Sequence, residues 1–389
     1  VTFGGEKGAA LVRGGTREPT KMIEALYKSG FRPNPSGHGG ERRSFQIQSF
    51  LNKHFKIHSF CSGENRRIPC YKRYYSGATL LLRNNLKLQT LEKISFNGYL
   101  YNKFKEVFGV KGKPKYFFWE PTYEYSDYSI PYLCKENNIG IVAFPHNIES
   151  FREDRKSYIL KHTTPPSLSE EIKALRACDY VITISREEQW LLQLYHIDCG
   201  YMPYFPENQE YQRCLKIKHE RRKGKQGDFI LALGSYMNPP TRRGILEIIK
   251  FCSTHKVTTP ITIAGFGTEE IRSVASNLPG NIEVLGAVNP EKLEELLIRC
   301  KCVLLNQKGG SGALVKLTEL CIAGIPVLAN SISLRSHYNI KGLVPFENLR
   351  ILKKLQEMNL EVPDIDVNID QYERDVFDNI LEYAFPKAN

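Results

Sequence analysis

The chain has 389 residues, with 54 Lys or Arg against 42 Asp or Glu, a formal net charge of +12. That length fits two domains of ordinary size. Hydrophobic residues at 41% and charged residues at 25% exclude a collagen-like or wholly disordered chain. No apolar run reaches the roughly 18 residues of a membrane span, and the start lacks the charged flank and apolar stretch of a secretory signal. The ten cysteines are scattered; only Cys300 and Cys302 stand close, and no Cys-x-x-Cys occurs. This spacing argues against a zinc knuckle or redox pair and predicts a reduced, cytoplasmic protein with no metal ligands.

Residues 1–30 are Gly-rich and aperiodic and read as a leader outside the fold, disordered or left from cloning. A breaker cluster, PNPSGHGG (33–40), precedes ERRSFQIQSFLNKHF (41–55), whose Phe45, Ile47, Phe50, Leu51 and Phe55 recur at helical spacing. KIHSF (56–60) reads as a strand, and one long amphipathic helix is expected from about 85 to 107. Segment 114–132 carries eight aromatics, read as a strand and loop that mix core and surface. IGIVAF (139–144) and YVITI (180–184) are β-branched apolar runs, hence buried strands. Ser185 then caps a helix, with Glu188 at the capping-box position.

Segment 211–225 holds seven Lys or Arg against one Glu. It reads as a solvated basic linker, and secondarily as a surface for anionic lipid or nucleic acid. Beyond it, strands at 228–234, 260–265, 281–286, 301–306 and 326–329 alternate with helical patterns at 242–252, 268–276, 290–300 and 314–323. Such alternation builds parallel sheets with crossover helices. The expected fold class is α/β, with two Rossmann-like doubly wound domains facing a cleft. The N-terminal domain spans 31–212, the linker 213–226 and the C-terminal domain 227–366, and a last helix in 367–389 packs back on the first domain.

The sharpest motif is NQKGGSGALVKLTELCIAGIPVLA (306–329). A strand ends at Asn306, a loop with Gly309, Gly310 and Gly312 follows, and a helix runs to Gly324. A Gly-rich loop that opens a helix offers backbone N–H groups to an anion, and glycine lets a phosphate come close. Lys316 and Glu319, three residues apart, can share one helix face. A cation there suits a diphosphate, and a carboxylate suits a vicinal diol. The bland alternative is an ordinary helix start with a surface ion pair.

This block resembles the donor-site signature of the GT-B retaining glycosyltransferases of family 4, also called group 1. The tail Cys321-Ile-Ala-Gly-Ile-Pro-Val-Leu-Ala329 is similar to the family's, and Glu319 takes the place of its second Glu. Ser311 stands where many members carry the first Glu, within Gly310-Ser311-Gly312. Further resemblances are Arg242 and Arg243 in 231–252, the Gly39-Gly40 loop, and His146 in FPHNIES (144–150). The resemblance implies a metal-independent, retaining transfer from a nucleotide-sugar co-substrate, with no cofactor. It implies donor contacts from Gly39, Gly40, Arg242, Arg243, Gly310, Ser311, Gly312, Lys316 and Glu319, with His146 as the catalytic residue. The acceptor would be a glycan, lipid-linked or small-molecule hydroxyl, with peripheral contact at an anionic inner membrane face and no nucleic acid. A non-catalytic nucleotide or glycan binder on the same fold is the alternative, and a nucleic-acid-binding protein ranks below it.

Overall fold

A computed structural model describes residues 22–60, 68–86, 90–108, 114–121, 125–151, 167–224, 226–274, 277–337, 340–363, 365 and 368–384. The N-terminal domain is built on strands β1 (Ile23–Lys28), β2 (Phe55–Ser59), β3 (Tyr116–Trp119), β4 (Gly140–Ala143), β5 (Tyr180–Thr183) and β6 (Cys199–Tyr201). All pair in parallel, in the order β2-β1-β3-β4-β5-β6. Its helices are α1 (Gly39–His54), α2 (Cys70–Arg83), α3 (Leu91–Phe108), α4 (Ile130–Glu136), α5 (Leu168–Arg176) and α6 (Arg186–Leu194).

Next comes α7 (Asn208–Lys223). The second sheet holds β7 (Ile230–Leu233), β8 (Ile261–Ala264), β9 (Ile282–Gly286), β10 (Cys302–Leu305), β11 (Val327–Asn330) and β12 (Leu343–Phe346). It is again parallel, in the order β12-β11-β10-β7-β8-β9. Helices α8 (Pro239–Thr254), α9 (Ile271–Val274), α10 (Pro290–Arg299), α11 (Val315–Ile322) and α12 (Ser331–Leu334) accompany it, and α13 (Ile369–Tyr383) ends the described chain. Parallel strands need crossovers, and helices on both faces bury the apolar runs on both sides. Each sheet accordingly has two core layers. Ile47, Phe50 and Leu51 of α1 pack with Val376 and Ile380 of α13 on one face of the first sheet, so the last helix returns to the N-terminal domain.

Four sequence expectations change. Residues 23–28, read as part of a leader, form the strand between β2 and β3, with Ala25, Leu26 and Tyr27 buried. Residues 1–21 of that leader lie outside the described residues. The strand is masked in the sequence by its charges, which the fold neutralises: Glu24 meets Lys56 at 2.7 Å, and buried Lys28 meets Asp127 at 2.6 Å. The long helix expected from 85 to 107 is the later part of a hairpin of two helices, broken at Asn84 and Asn85, where Asn85 has φ +50°. The basic linker is α7, and four of its basic residues have partners in the fold. Arg213 pairs with Glu210, Lys216 with Glu294 and Lys223 with Glu220, while buried Arg221 donates to the carbonyls of Leu297, Ile298 and Cys300. The contacts of Lys216 and Arg221 fix the helix to the second domain. The helix expected over 268–276 shortens to a 3-10 turn at Thr268–Glu270 followed by α9, with 275–276 outside the described residues. Among the described residues no helix is long and apolar enough to cross a membrane.

Candidate active site

Open α/β sheets bind ligands outside the carboxyl ends of the strands where strand order reverses. In the first sheet that point lies between β1 and β3. Glu120 follows β3 directly and is fully buried. Its carboxylate accepts from Gly30 N at 3.0 Å, from Ser44 Oγ at 2.5 Å and from the Tyr27 hydroxyl. His146, three residues past β4, places Nε2 2.7 Å from Glu120 Oε2, with Ser44 Oγ at 3.4 Å. Burial pushes the Glu120 carboxyl up, but the His146 hydrogen bond and charge, with Ser44 and Tyr27, outweigh it and hold the group below its ordinary value. With Glu120 ionised, the shared proton sits on His146 Nε2. The ring of Phe31 stands edge-on to the imidazole at 5.0 Å between centroids. Sequence reasoning finds His146 and misses Glu120, whose signal is a carboxylate set between the apolar run Tyr116–Trp119 and Pro121.

Two buried carboxylates hold the segment after His146. Glu171 of α5 accepts from Glu149 N and Ser150 N, each at 2.8 Å. Glu188 of α6 accepts from Ile148 N at 2.7 Å and, across the domain seam, from Gly312 N at 2.9 Å. The expected capping box at Ser185 is therefore only half formed. Ser185 caps Glu188 N at 3.2 Å, but the Glu188 side chain serves the seam instead. Burial raises the Glu188 carboxyl to about 7, against the pull of those hydrogen bonds.

The glycine loop of the second domain lies on this segment. Gly309, Gly310 and Gly312 have φ of +118°, +105° and +71°. A Cβ on Gly312 would sit 2.7 Å from the His146 carbonyl oxygen, so only glycine allows this approach. Ser311 Oγ donates to Ile148 O at 3.3 Å, and Arg335 secures the loop through Ser311 O at 2.9 Å and Gly312 O at 2.5 Å. No side chain caps α11. In the second sheet the order reverses between β7 and β10. There Lys316 Nζ donates to Leu233 O, the last residue of β7, at 3.1 Å, beside a small cavity lined by Thr241, Asn306 and Gln307. Burial lowers the Lys316 ammonium to about 8, partly offset by Glu319. Glu319 accepts from Arg42 of α1 at 2.6 and 2.5 Å and from the Tyr204 hydroxyl at 2.8 Å. A Cβ on Gly39 would lie 3.6 Å from Val315 Cγ2, so the first turns of α1 and α11 face each other.

The fold thus brings Gly39, His146, Ser311, Gly312, Lys316 and Glu319 to one seam. Gly310 turns toward Arg335, and Gly40 packs under the ring of Phe31. Arg242 and Arg243 open α8 beside the glycine loop of the second domain. Arg242 lies over the ring of Tyr236 at 5.8 Å, and Arg243 donates to Lys308 O at 2.7 Å. Pro239 and Pro240 open α8, so two of its first-turn positions have no N–H to offer an anion. Among the described residues no group of three or more His, Cys, Asp or Glu is placed to hold a metal ion.

No protein-family model matches the chain, and no curated protein matches it by sequence. Solved structures match its shape. A sucrose-phosphate synthase from Thermosynechococcus elongatus aligns with a TM-score of 0.54 at 14% identity, over 87% of this chain and 89% of that one. HepE from Anabaena in complex with UDP-glucose aligns at 0.52 and 13% identity, over 86% and 89%. Likeness at such identity speaks to architecture, and with the two reversed parallel sheets it establishes the fold as two Rossmann-like domains of the GT-B type.

Proposed function

We propose that this protein transfers a sugar from a nucleotide-sugar donor to an acceptor hydroxyl, with retention of anomeric configuration and without a metal ion. The observation that carries the reading is the meeting of two half-sites at one seam: His146 with Glu120 from the first domain, and the 309–312 loop with Lys316 and Glu319 from the second. The retaining course rests on the resemblance of residues 310–329 to the family 4 signature. Solved structures of the same architecture include one that holds UDP-glucose.

The chemistry needs stabilisation of a departing diphosphate beside an oxocarbenium-like sugar. Fixed donors placed where charge develops do this without reorganising. The uncapped start of α11 and Lys316 would supply them. Glu319 would hold the nucleoside ribose diol. His146, oriented through Nε2 by Glu120, would present Nδ1 to the transferred sugar or the attacking hydroxyl. The acceptor would be a glycan, lipid-linked or small-molecule hydroxyl. Because Glu188 bridges Ile148 N and Gly312 N across the seam, the donor would enter with the domains parted, and reclosure would exclude water.

A second reading is favoured by Ser311 and by the Arg42–Glu319 contact: a nucleotide or glycan binder without turnover. A thermal-shift and sugar-release screen with UDP-, GDP-, ADP- and TDP-sugars separates the two, since a ligand of the folded state raises Tm. One responder with slow sugar release supports the transferase, and the product anomer read by NMR checks retention. Stabilisation without release under any acceptor supports a nucleotide binder, and no response from any nucleotide-sugar overturns the transferase and leaves only a glycan binder.

A further inference from the structure

Helix α2 carries an exposed face that neither the fold nor the seam uses. Its inner side packs on α3 through a backbone crossing so close that a Cβ on Gly77 would lie 1.8 Å from Ile94 O. Leu80 and Leu81 are buried on that side. On the outer side stand Tyr71, Tyr75 and Leu82, exposed by 70, 77 and 61%. Positions 71, 75, 78 and 82 form one stripe along a helix. Lys72 and Arg83, both exposed, flank that stripe, and neither pairs with an acid among the described residues. The helix contains no Asp or Glu at all. Residues 70–108 hold seven Lys or Arg against two Glu, a net +5 of the chain's +12. Leu91, the first residue of α3, is exposed by 70% and sits at the same end of the hairpin as Leu82.

We propose that the outer face of α2 docks on an anionic lipid bilayer. Tyrosines belong where one end of a side chain is apolar and the other wet, which describes the headgroup boundary. Flanking cations meet anionic headgroups with about 1 kcal/mol each near the surface, a term that salt screens. A folded protein partner would need about 800 Å2 on this side, and a single convex ridge of three side chains offers much less. Such docking does not depend on sugar transfer, because vesicle binding is read with no donor present. If the acceptor is lipid-linked, this face would set the cleft beside it.

The test is co-sedimentation of the full chain with vesicles of phosphatidylcholine alone and of phosphatidylcholine with phosphatidylglycerol, three parts to one. Binding to the anionic vesicles, weakened by high salt, is expected. Tyr75→Ser with Leu82→Ser should cut the partition about tenfold, and so should Lys72→Glu with Arg83→Glu. Both pairs are exposed, so Tm should hold, and donor-induced thermal shifts should stay as in the parent. Equal binding to neutral vesicles, or parent-like binding by the double variants, overturns the proposal. A concentration-dependent dimer in light scattering that the Tyr75/Leu82 variant abolishes would instead assign the face to a second copy of the chain.

Discussion

Arg42 Nη1 lies 2.6 and 2.5 Å from the two carboxylate oxygens of Glu319, tying the first turns of α1 to α11 across the domain seam. Tyr204 adds its hydroxyl at 2.8 Å. Guanidinium and phenol thus fill the two acceptor positions that a ribose diol would use. Burial pushes the Glu319 carboxyl up, and Arg42 works against that rise. A nucleoside must therefore displace Arg42 before it reaches Glu319, and the lost contact is subtracted from its affinity.

Removing Arg42 separates its two effects. Arg42→Ala should lower stability by about 3 kcal/mol, since it leaves a buried carboxylate unpaired. The same variant should bind the responding nucleotide about tenfold more tightly, by loss of the competitor. Glu319→Ala should bind it more weakly. Calorimetric titration reads both. Weaker binding in the Arg42 variant would make that residue a ligand contact and rule out the competition.

The His146–Glu120 pair makes a second prediction. His146→Ala should lower transfer about 100-fold or more, and Glu120→Gln should lower kcat with little change in donor KM, because Glu120 orients a group and does not touch donor. Glu120 is held below its ordinary 4.5 in the folded state. It therefore contributes stability that is present above pH 4.5 and is lost as pH falls through the folded value. Acid unfolding curves of parent and Glu120→Gln should accordingly converge below pH 4.5 and separate above it. Curves that stay parallel would show that folding does not shift Glu120, and a gap that instead grows above pH 4.5 in favour of the variant would show that it is neutral in the fold.

Much of this site is legible in the sequence, and the gaps have physical causes. His146, Gly312, Lys316 and Glu319 are readable because each follows or opens an element with a clean apolar run. Glu120 and Arg42 are not, because their partners lie 26 and 277 residues away in sequence and no local pattern encodes those pairings. β1 is hidden by Glu24 and Lys28, whose charges look solvated until Lys56 and Asp127 meet them. Segment 211–225 misleads in the opposite direction. Its charge suggests a solvated linker, but Cys214, Ile217 and Arg221 recur at helical spacing and are buried against the second domain. Charge counting outweighs that sparse apolar stripe, though the stripe decides the structure.

Glu188 gives a prediction about pH and domain closure. One oxygen accepts N–H groups from both domains, and burial raises the group to about 7. A raised acid favours the fold fully below its unfolded value near 4.5, and that advantage disappears as pH rises through 7. Relative to the parent, Glu188→Gln should gain stability between pH 5 and 8, up to ~3 kcal/mol, since a tenfold change in proton affinity corresponds to about 1.4 kcal/mol. Glutamine keeps an oxygen for both N–H donors, so the variant should fold. Tm measured across that range checks it, and a constant offset between the two proteins would refute the titration.

Gly312 tests whether the seam must close for function. Its φ is +71°, and a Cβ would stand 2.7 Å from the backbone oxygen of His146. Backbone cannot yield as a flexible side chain does, so Gly312→Ala should hold the domains apart. The strain costs the closed form about 1–3 kcal/mol, enough to make the open form the main species where the two are closely balanced. Small-angle scattering should then show a larger radius of gyration, and transfer should fall even at saturating donor. Neither core layer touches position 312, so each domain should keep its own cooperative unfolding. Gly310→Ala, whose nearest neighbour is the end of the Arg335 side chain at 3.3 Å, also has a positive φ, at +105°, without the backbone clash and serves as the control. If both variants lose transfer equally while the radius of gyration stays unchanged, the loop conformation rather than domain closure is what the reaction requires.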